Sequence, residues 1–325
     1  MARQKEDIKV IEVKNLVKKF GDHYAVNDIS FTVEPGKIYG LLGPNGAGKS
    51  TTMNIMTGYI GATSGQVLVN NYDIFEDAKN AKKYIGYLPE IPPLYMDMTV
   101  FEFLIFVAEL KEVSKKERKM VVDTVMEQTK VTEMKDRLIK NLSKGYRQRV
   151  GLAQAIIGDP EVIILDEPTV GLDPIQIAEM RDLIRALGKN HTIILSSHIL
   201  SEISEVCDHV FIISKGKLIL SERAENLSLH LKTSQTLEIV AKGDKAIAVS
   251  SLENLANIAS VTSQNGSEEG TVKLLVVAKD KDDIRGEVSM TLTEQKIAIY
   301  EMKEVGQSLE DVFLEMTTEE NKKEA

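Results

Sequence analysis

The sequence predicts an α/β fold: a large domain built on a parallel sheet with a helical insertion, and after it a smaller α+β domain. Three observations predict it. Short apolar runs such as Lys37–Leu42 and Val162–Leu165 end in turns and read as buried parallel strands. Between them lie segments whose apolar residues recur at helical spacing, and strands alternating with helices imply a parallel sheet. Near Glu225 the pattern changes, and residues 226–325 read as a second set of strands and helices. A length of 325 residues suits one large and one small domain.

Taken in order, residues 8–13, 28–33 and 37–42 read as strands. A glycine-rich turn and a helix from Lys49 come next, then short strands at Val67–Val69 and Tyr84–Leu88. From Thr99 to about Gly158, Phe101, Leu104, Ile105 and Ala108 recur at helical spacing, as do Val121, Val125 and Met126. The alternating pattern then returns with strand Val162–Leu165, an amphipathic helix through Ile177, Met180, Ile184 and Leu187, and strands Thr192–Ser196 and Val210–Ile213. Beyond Glu225 the reading is strand 236–241, helix 245–257, strands 258–264 and 271–278, helix 281–293 and strand 296–302, the order of a split βαβ sandwich. A last helix is expected over Ser308–Met316, before a charged tail.

Composition narrows the function. Hydrophobic residues are 43% and charged residues 27%, which supports a filled core. The net charge of −9 argues against a nucleic-acid partner, which would call for a basic face. One cysteine, Cys207, excludes an internal disulfide and reads as a small buried apolar residue. Neither a secretory signal nor a membrane-spanning helix is expected, so any role at a membrane would come through a partner.

The chemistry concentrates in three places. Gly43-Pro44-Asn45-Gly46-Ala47-Gly48-Lys49-Ser50, with Thr51 next to it, fits a phosphate loop. Its glycines let successive N–H groups point at phosphate oxygens, and the adjoining helix presents its positive end. Lys49 reaches the β/γ phosphates, and the Ser50 hydroxyl ligates Mg²⁺. Val162–Leu165 delivers two carboxylates, with Asp166 placed to hold Mg²⁺ and Glu167 as general base for water. Leu142-Ser143-Lys144-Gly145-Tyr146 precedes a helix and makes a second anion-facing N-terminus, which suggests a different nucleotide for each.

With those motifs the chain resembles the ATP-binding subunit of an ABC transporter over roughly residues 8–225. The resemblance implies a P-loop ABC ATPase core over 1–225 with a helical subdomain at about 94–158, and an accessory or regulatory α+β domain over 226–325. It also implies a D-loop at Gly171-Leu172-Asp173-Pro174, a switch histidine at His198 within Ser196-Ser197-His198, and Phe20 as the adenine-stacking aromatic. ATP and Mg²⁺ are the expected ligands. A multi-spanning membrane permease and a second ATPase subunit are the expected partners, at the cytoplasmic face of the membrane.

Departures from the family pattern point to a subgroup. Lys144 and Tyr146 replace a glycine and the glutamine of Leu-Ser-Gly-Gly-Gln, while Ser143 and Gly145 remain. Glu90, in Tyr87-Leu-Pro-Glu90, stands where glutamine usually touches Mg²⁺ and the attacking water. These features, with Pro92–Tyr95 and the ending Ser308–Glu315, resemble the stand-alone ATPases of type-2 exporters for drugs, antibiotics, polysaccharides or sodium. A soluble ABC-type ATPase without a transport role is the alternative, and a nucleotide-dependent scaffold without turnover is a third. The run Lys111–Lys119 is expected to be a solvated helix end, with contact to acidic lipid headgroups as the alternative, and Phe101, Phe103 and Phe106 are expected in the core, with a groove for a partner helix as the alternative.

Overall fold

The computed structural model describes residues 9–226, 236–266, 268, 270–279 and 283–305. The chain divides into two compact units, Met1–Glu225 and Asn226–Ala325. The expected helix at Ser308–Met316 lies outside the described residues.

The first unit holds two sheets. Strands β1 (Ile11–Phe20), β2 (His23–Val33), β4 (Ser64–Val69) and β5 (Tyr72–Asp73) form an antiparallel sheet in the order β2-β1-β4-β5. The expected strands at 8–13 and 28–33 are thus longer arms of one hairpin and lie outside the parallel sheet. The second sheet contains β3 (Ile38–Leu42), β6 (Ile85–Leu88), β7 (Val162–Leu165), β8 (Thr192–Ser197), β9 (His209–Ser214) and β10 (Lys217–Arg223). Its order is β10-β9-β3-β8-β7-β6, parallel except for the β9/β10 hairpin. Strands β3 and β7 are buried along their whole length, which explains their unbroken apolar sequence.

The helices are α1 (Lys49–Met56), α2 (Ala78–Lys83), α3 (Val100–Leu110), α4 (Arg118–Gln128), α5 (Lys144–Ile156), α6 (Pro174–Leu187) and α7 (Leu200–Val206). Between β6 and β7 lies the helical insertion, α3 to α5. Its start at α3 is fixed by a capping box: Thr99 accepts from the Glu102 N–H, and the Glu102 carboxylate accepts from the Thr99 N–H. Only Phe103 of the three phenylalanines is fully buried; Phe101 lies under the Lys135 ammonium and Phe106 packs on Tyr95. Residues 111–117 form the turn between α3 and α4, Arg118 and Lys119 begin α4, and the run is mostly exposed. Lys111 remains exposed as a residue, yet its Nζ donates to the Ile85 carbonyl at 3.3 Å, and burial of that group lowers its pKa.

The second unit is built from β11 (Thr236–Lys242), α8 (Lys245–Glu253), β12 (Ile258–Asn265), β13 (Thr271–Ala278), α9 (Arg285–Glu294) and β14 (Ala298–Val305). Its strands are antiparallel in the order β12-β13-β11-β14, the split βαβ arrangement. Inward residues Leu237, Ile239, Leu274 and Val276 pack against Leu252, Val288 and Leu292 of the two helices. Helix α8 stops four residues short of the expected 257, where Asn254 and the turn to β12 take over.

Candidate active site

The parallel sheet brings four segments to one end. Neighbouring strands β3, β8, β7 and β6 run the same way, so their carboxyl ends release the phosphate loop, Ser197–His198, Asp166–Glu167 and Pro89–Glu90 side by side. Ligands of open α/β sheets bind at that edge.

The loop Gly43–Gly48 curls over the start of α1. Gly48 has φ +107°, and a Cβ there would lie 2.3 Å from the Ala25 carbonyl oxygen of β2, so only glycine fits. Helix α1 has no side-chain cap and no acidic residue in its first turn, which leaves its N–H groups available to an anion. Asn45 and Gly46 are exposed on the loop, while Ala47 and Lys49 are buried. Lys49 Nζ donates to the carbonyls of Gly43 at 2.8 Å and Pro44 at 3.2 Å, and lies 3.2 Å from Glu167 Oε1. A buried ammonium with three oxygen partners is held in one place at the mouth of the loop.

Asp166 and Glu167 leave β7 in different directions because Glu167 takes a left-handed conformation at φ +47°, uncommon outside glycine. Asp166 Oδ1 accepts from the Ser196 hydroxyl at 2.7 Å and the Ser50 hydroxyl at 3.1 Å. Burial pushes the Asp166 carboxyl above its ordinary value, against the pull of those two hydrogen bonds. Ser196 Oγ also accepts from the Glu167 N–H at 2.8 Å, so one buried hydroxyl fixes both acids. Glu167 Oε2 lies 3.0 Å from His198 Nδ1. Ser50, Asp166 and Ser196 therefore form a compact set of oxygen atoms of the hard-donor kind that suits Mg²⁺. Among the described residues no group of three or more His, Cys, Asp and Glu could cage a metal.

A pocket of about 250 Å³ is lined by Asn45–Ser50 of the loop together with Glu90, Glu167 and His198. A second, larger cavity of about 860 Å³ opens between the sheet and the helical insertion, and Ser50, Glu90 and Asp166 reach it as well. Glu90 thus stands on both. At the edge of this cavity Tyr87 donates to Asn54 at 2.9 Å.

The signature residues lie at the N-terminus of α5. Ser143 caps it, accepting from the Tyr146 N–H, and is exposed. Gly145 is buried; a Cβ there would lie 2.6 Å from Gln176 Oε1 of α6, so the glycine permits that approach. Lys144 lies across the backbone of Gly171. Tyr146 is half-buried beneath the Arg149 guanidinium. Asp173 caps α6, accepting from the Gln176 N–H at 2.9 Å. Among the described residues no hydrogen bond or ion pair joins Ser143–Tyr146 to the phosphate loop. Phe20, at the tip of the β1/β2 hairpin, is half-exposed under the Lys18 ammonium and does not line the pocket at the loop. Thr51 sits beside Ser50 in α1 and is half-buried.

Sequence reasoning missed Ser196, and with it the hydroxyl that ties Asp166 to Glu167. Its signal was present: a polar pair, Ser196-Ser197, follows the apolar Ile193–Leu195 in a buried strand. Such groups require partners.

The ABC transporter family model matches residues 26–170. The Bacillus subtilis ABC transporter ATP-binding protein YhcH is 36% identical over 312 residues, 95% of this chain and 96% of that protein. The bacitracin transport ATP-binding protein BcrA of Bacillus licheniformis is 42% identical over 212 residues, 65% of this chain and 68% of that one. Among solved structures, cbiO1 of Clostridium perfringens, part of the ABC transporter complex cbiONQ, is 28% identical with a TM-score of 0.63 over 68% of this chain and 91% of its own.

Proposed function

The chain belongs to the ABC transporter ATP-binding proteins, and from that premise we propose how its residues divide the work of a transporter ATPase. It is the ATP-binding, ATP-hydrolysing subunit of an ABC transporter.

The loop Gly43–Ser50, with Thr51, binds the triphosphate through backbone N–H groups, and Lys49 supplies the side-chain cation to its β/γ oxygens. Ser50 and Asp166, with Glu90, hold Mg²⁺. The ion, when bound, neutralises charge that develops on the phosphate oxygens. Glu167 takes the proton from the attacking water. His198 steadies the base from its other side. Phe20 stacks on the adenine, for which an exposed ring at a hairpin tip is suited. The observation that carries the reading is the convergence of Lys49, Glu167 and His198 in one chain of contacts, each link 3.2 Å or shorter.

Ser143, Lys144, Gly145 and Tyr146, with Asp173, face the nucleotide of a second ATPase subunit, a second copy or a related chain. Support comes from the exposure of Ser143 and Lys144 at the α5 N-terminus and from their absence from the lining of the pocket at the chain's own loop. The other partner is a multi-spanning permease, a reading supported by the place of the similar cbiO1 in the ABC transporter complex cbiONQ. The large cavity beside Glu90 suits a permease segment. Tyr59, Ile91 and Leu110 expose apolar surface there, and Gln154 Oε1 is buried with no hydrogen-bond partner among the described residues. The chain would then sit at the cytoplasmic face of the membrane. Export is the direction favoured by relatives named for bacitracin and lantibiotic transport. The second unit acts in assembly or regulation rather than chemistry.

Phosphate release and binding of a fluorescent ATP analogue, measured side by side, test the assignment. Glu167→Gln should lose about 10²–10⁴-fold in turnover while binding persists. Equal losses of binding and turnover would contradict the general-base role.

A further inference from the structure

Glu202 is a buried carboxylate that the hydrolysis scheme leaves unused. It lies in the first turn of α7 and is 9% exposed. Among the described residues it forms no ion pair. Its Oε2 instead accepts two hydroxyl hydrogen bonds, from Thr169 Oγ1 at 2.7 Å and from Ser197 Oγ at 3.1 Å. Thr169 and Ser197 are themselves buried. A carboxylate held away from water without a cation depends on such bonds, and its donors depend on it in turn.

The two donors belong to the two segments that carry the reacting side chains. Thr169 lies two residues after Glu167, in a turn closed by Val170 N–H to Glu167 O and Leu172 N–H to Thr169 O, both 3.2 Å. Ser197 immediately precedes His198. Its Oγ also accepts from the Ile199 N–H at 3.0 Å, so the hydroxyl brackets His198 from both sides in the chain. Glu202 therefore clamps the segment of the base to the segment of the histidine. It does so behind the 3.0 Å contact between His198 Nδ1 and Glu167 Oε2. The phosphate loop meets the clamp through its backbone, where the Gly43 N–H donates to the Ser197 carbonyl at 3.4 Å.

We propose that Glu202 is a positioning residue for ATP hydrolysis, holding His198 against Glu167 through the hydroxyls of Ser197 and Thr169. The inference rests on the reading of Glu167 as base and His198 as its partner. Glu202 does not line the pocket at the phosphate loop. It restricts the one distance on which that pair depends, and a misplacement of about 1 Å at such a site costs up to about 10²-fold.

The test uses the full chain with ATP and Mg²⁺. Single-turnover rate and affinity for a fluorescent ATP analogue are measured for Glu202→Ala, Ser197→Ala and Thr169→Val, each alone and combined with His198→Ala. Glu202→Ala should lower the rate about 10- to 100-fold, with nucleotide affinity within about twofold of the parent. Each single hydroxyl loss should cost less, and Glu202→Gln, whose amide oxygen still accepts one hydroxyl, should recover part of the rate. In the His198→Ala background the same changes should cost less than about twofold, because the clamp acts through that histidine. Equal losses in both backgrounds, or affinity falling in step with rate, would overturn the inference. If Glu202→Ala does not fold, Ser197→Ala and Thr169→Val carry the same cycle with the carboxylate in place. Unimpaired hydrolysis in Glu167→Gln and His198→Ala would overturn both this inference and the reading beneath it. Inactive Glu167→Gln and His198→Ala beside a fully active Glu202→Ala would overturn this inference alone.

Discussion

The first unit carries two helix N-termini read as facing phosphate, and they are built in opposite ways. At α1 the cap is Gly48, the first turn bears no acid, and the cation Lys49 is buried among oxygen atoms of its own chain. At α5 the cap is Ser143, whose hydroxyl is bonded within its own helix, and both it and Lys144 are exposed. The first is a finished cradle with its base alongside. On the proposed reading the second is half of a site, completed by another subunit. The contrast implies that changes at α1 act on binding within one chain, whereas changes at α5 act only when two chains meet.

That contrast can be broken most forcefully at Lys49. Lys49→Ala removes the only side-chain cation of the loop and also takes from buried Glu167 its ion pair to Lys49, leaving the contact with His198. Isothermal titration with ATP should show binding lost or reduced by about 10²-fold or more. Normal affinity and turnover would refute the cradle.

Ser143→Arg is the matching change at the other helix. It should leave ATP binding to the isolated chain within about twofold and remove most turnover, a loss of about 10²-fold, comparable to deleting a transition-state donor. A parallel fall in binding would mean that the two N-termini serve one nucleotide within one chain.

Glu90 sharpens the comparison, because it lines both the loop pocket and the larger cavity. Glu90→Ala should lower hydrolysis by about 10-fold, at the low end of losses at groups that orient reactants. Nucleotide binding should be retained. In membranes carrying the permease, its stimulation of hydrolysis should weaken as well. Unchanged stimulated activity would remove Glu90 from the path between the two cavities.

The smallest effect is expected from the second unit. All the assigned residues precede Glu225, and the first unit has its own core. A 1–225 chain with a normal circular dichroism spectrum should bind ATP within about twofold of full length. Loss of binding in such a folded truncation would place part of the site beyond Glu225.

Much of this arrangement was legible before the structure. Strands β3 and β7 announce themselves because strands buried on both faces must be apolar throughout. The phosphate loop is legible because close approach of backbone to phosphate demands glycine at fixed spacing. The antiparallel sheet was not legible. The first hairpin arm, Ile11–Phe20, mixes buried and exposed residues with register shifts, so its alternation is broken and its length hidden. Glu202 escaped for a different reason. Its partners Thr169 and Ser197 lie 33 and 5 residues away in sequence, and only the packing of α7 joins them. Lys111 likewise reads as one more surface lysine until the fold places the Ile85 carbonyl beneath it.

The central claim is that one nucleotide is shared by the finished cradle of one subunit and the half-site of another. Size-exclusion chromatography of Glu167→Gln with ATP and Mg²⁺ tests it most directly, with and without the added Ser143→Arg change. Replacing the base by its near-isostere keeps the shape of the site while hydrolysis slows about 10²–10⁴-fold, so the closed state accumulates. The account predicts a dimer that appears only with ATP and disappears when Ser143→Arg is added. A Glu167→Gln protein whose assembly ignores both ATP and Ser143→Arg would contradict it.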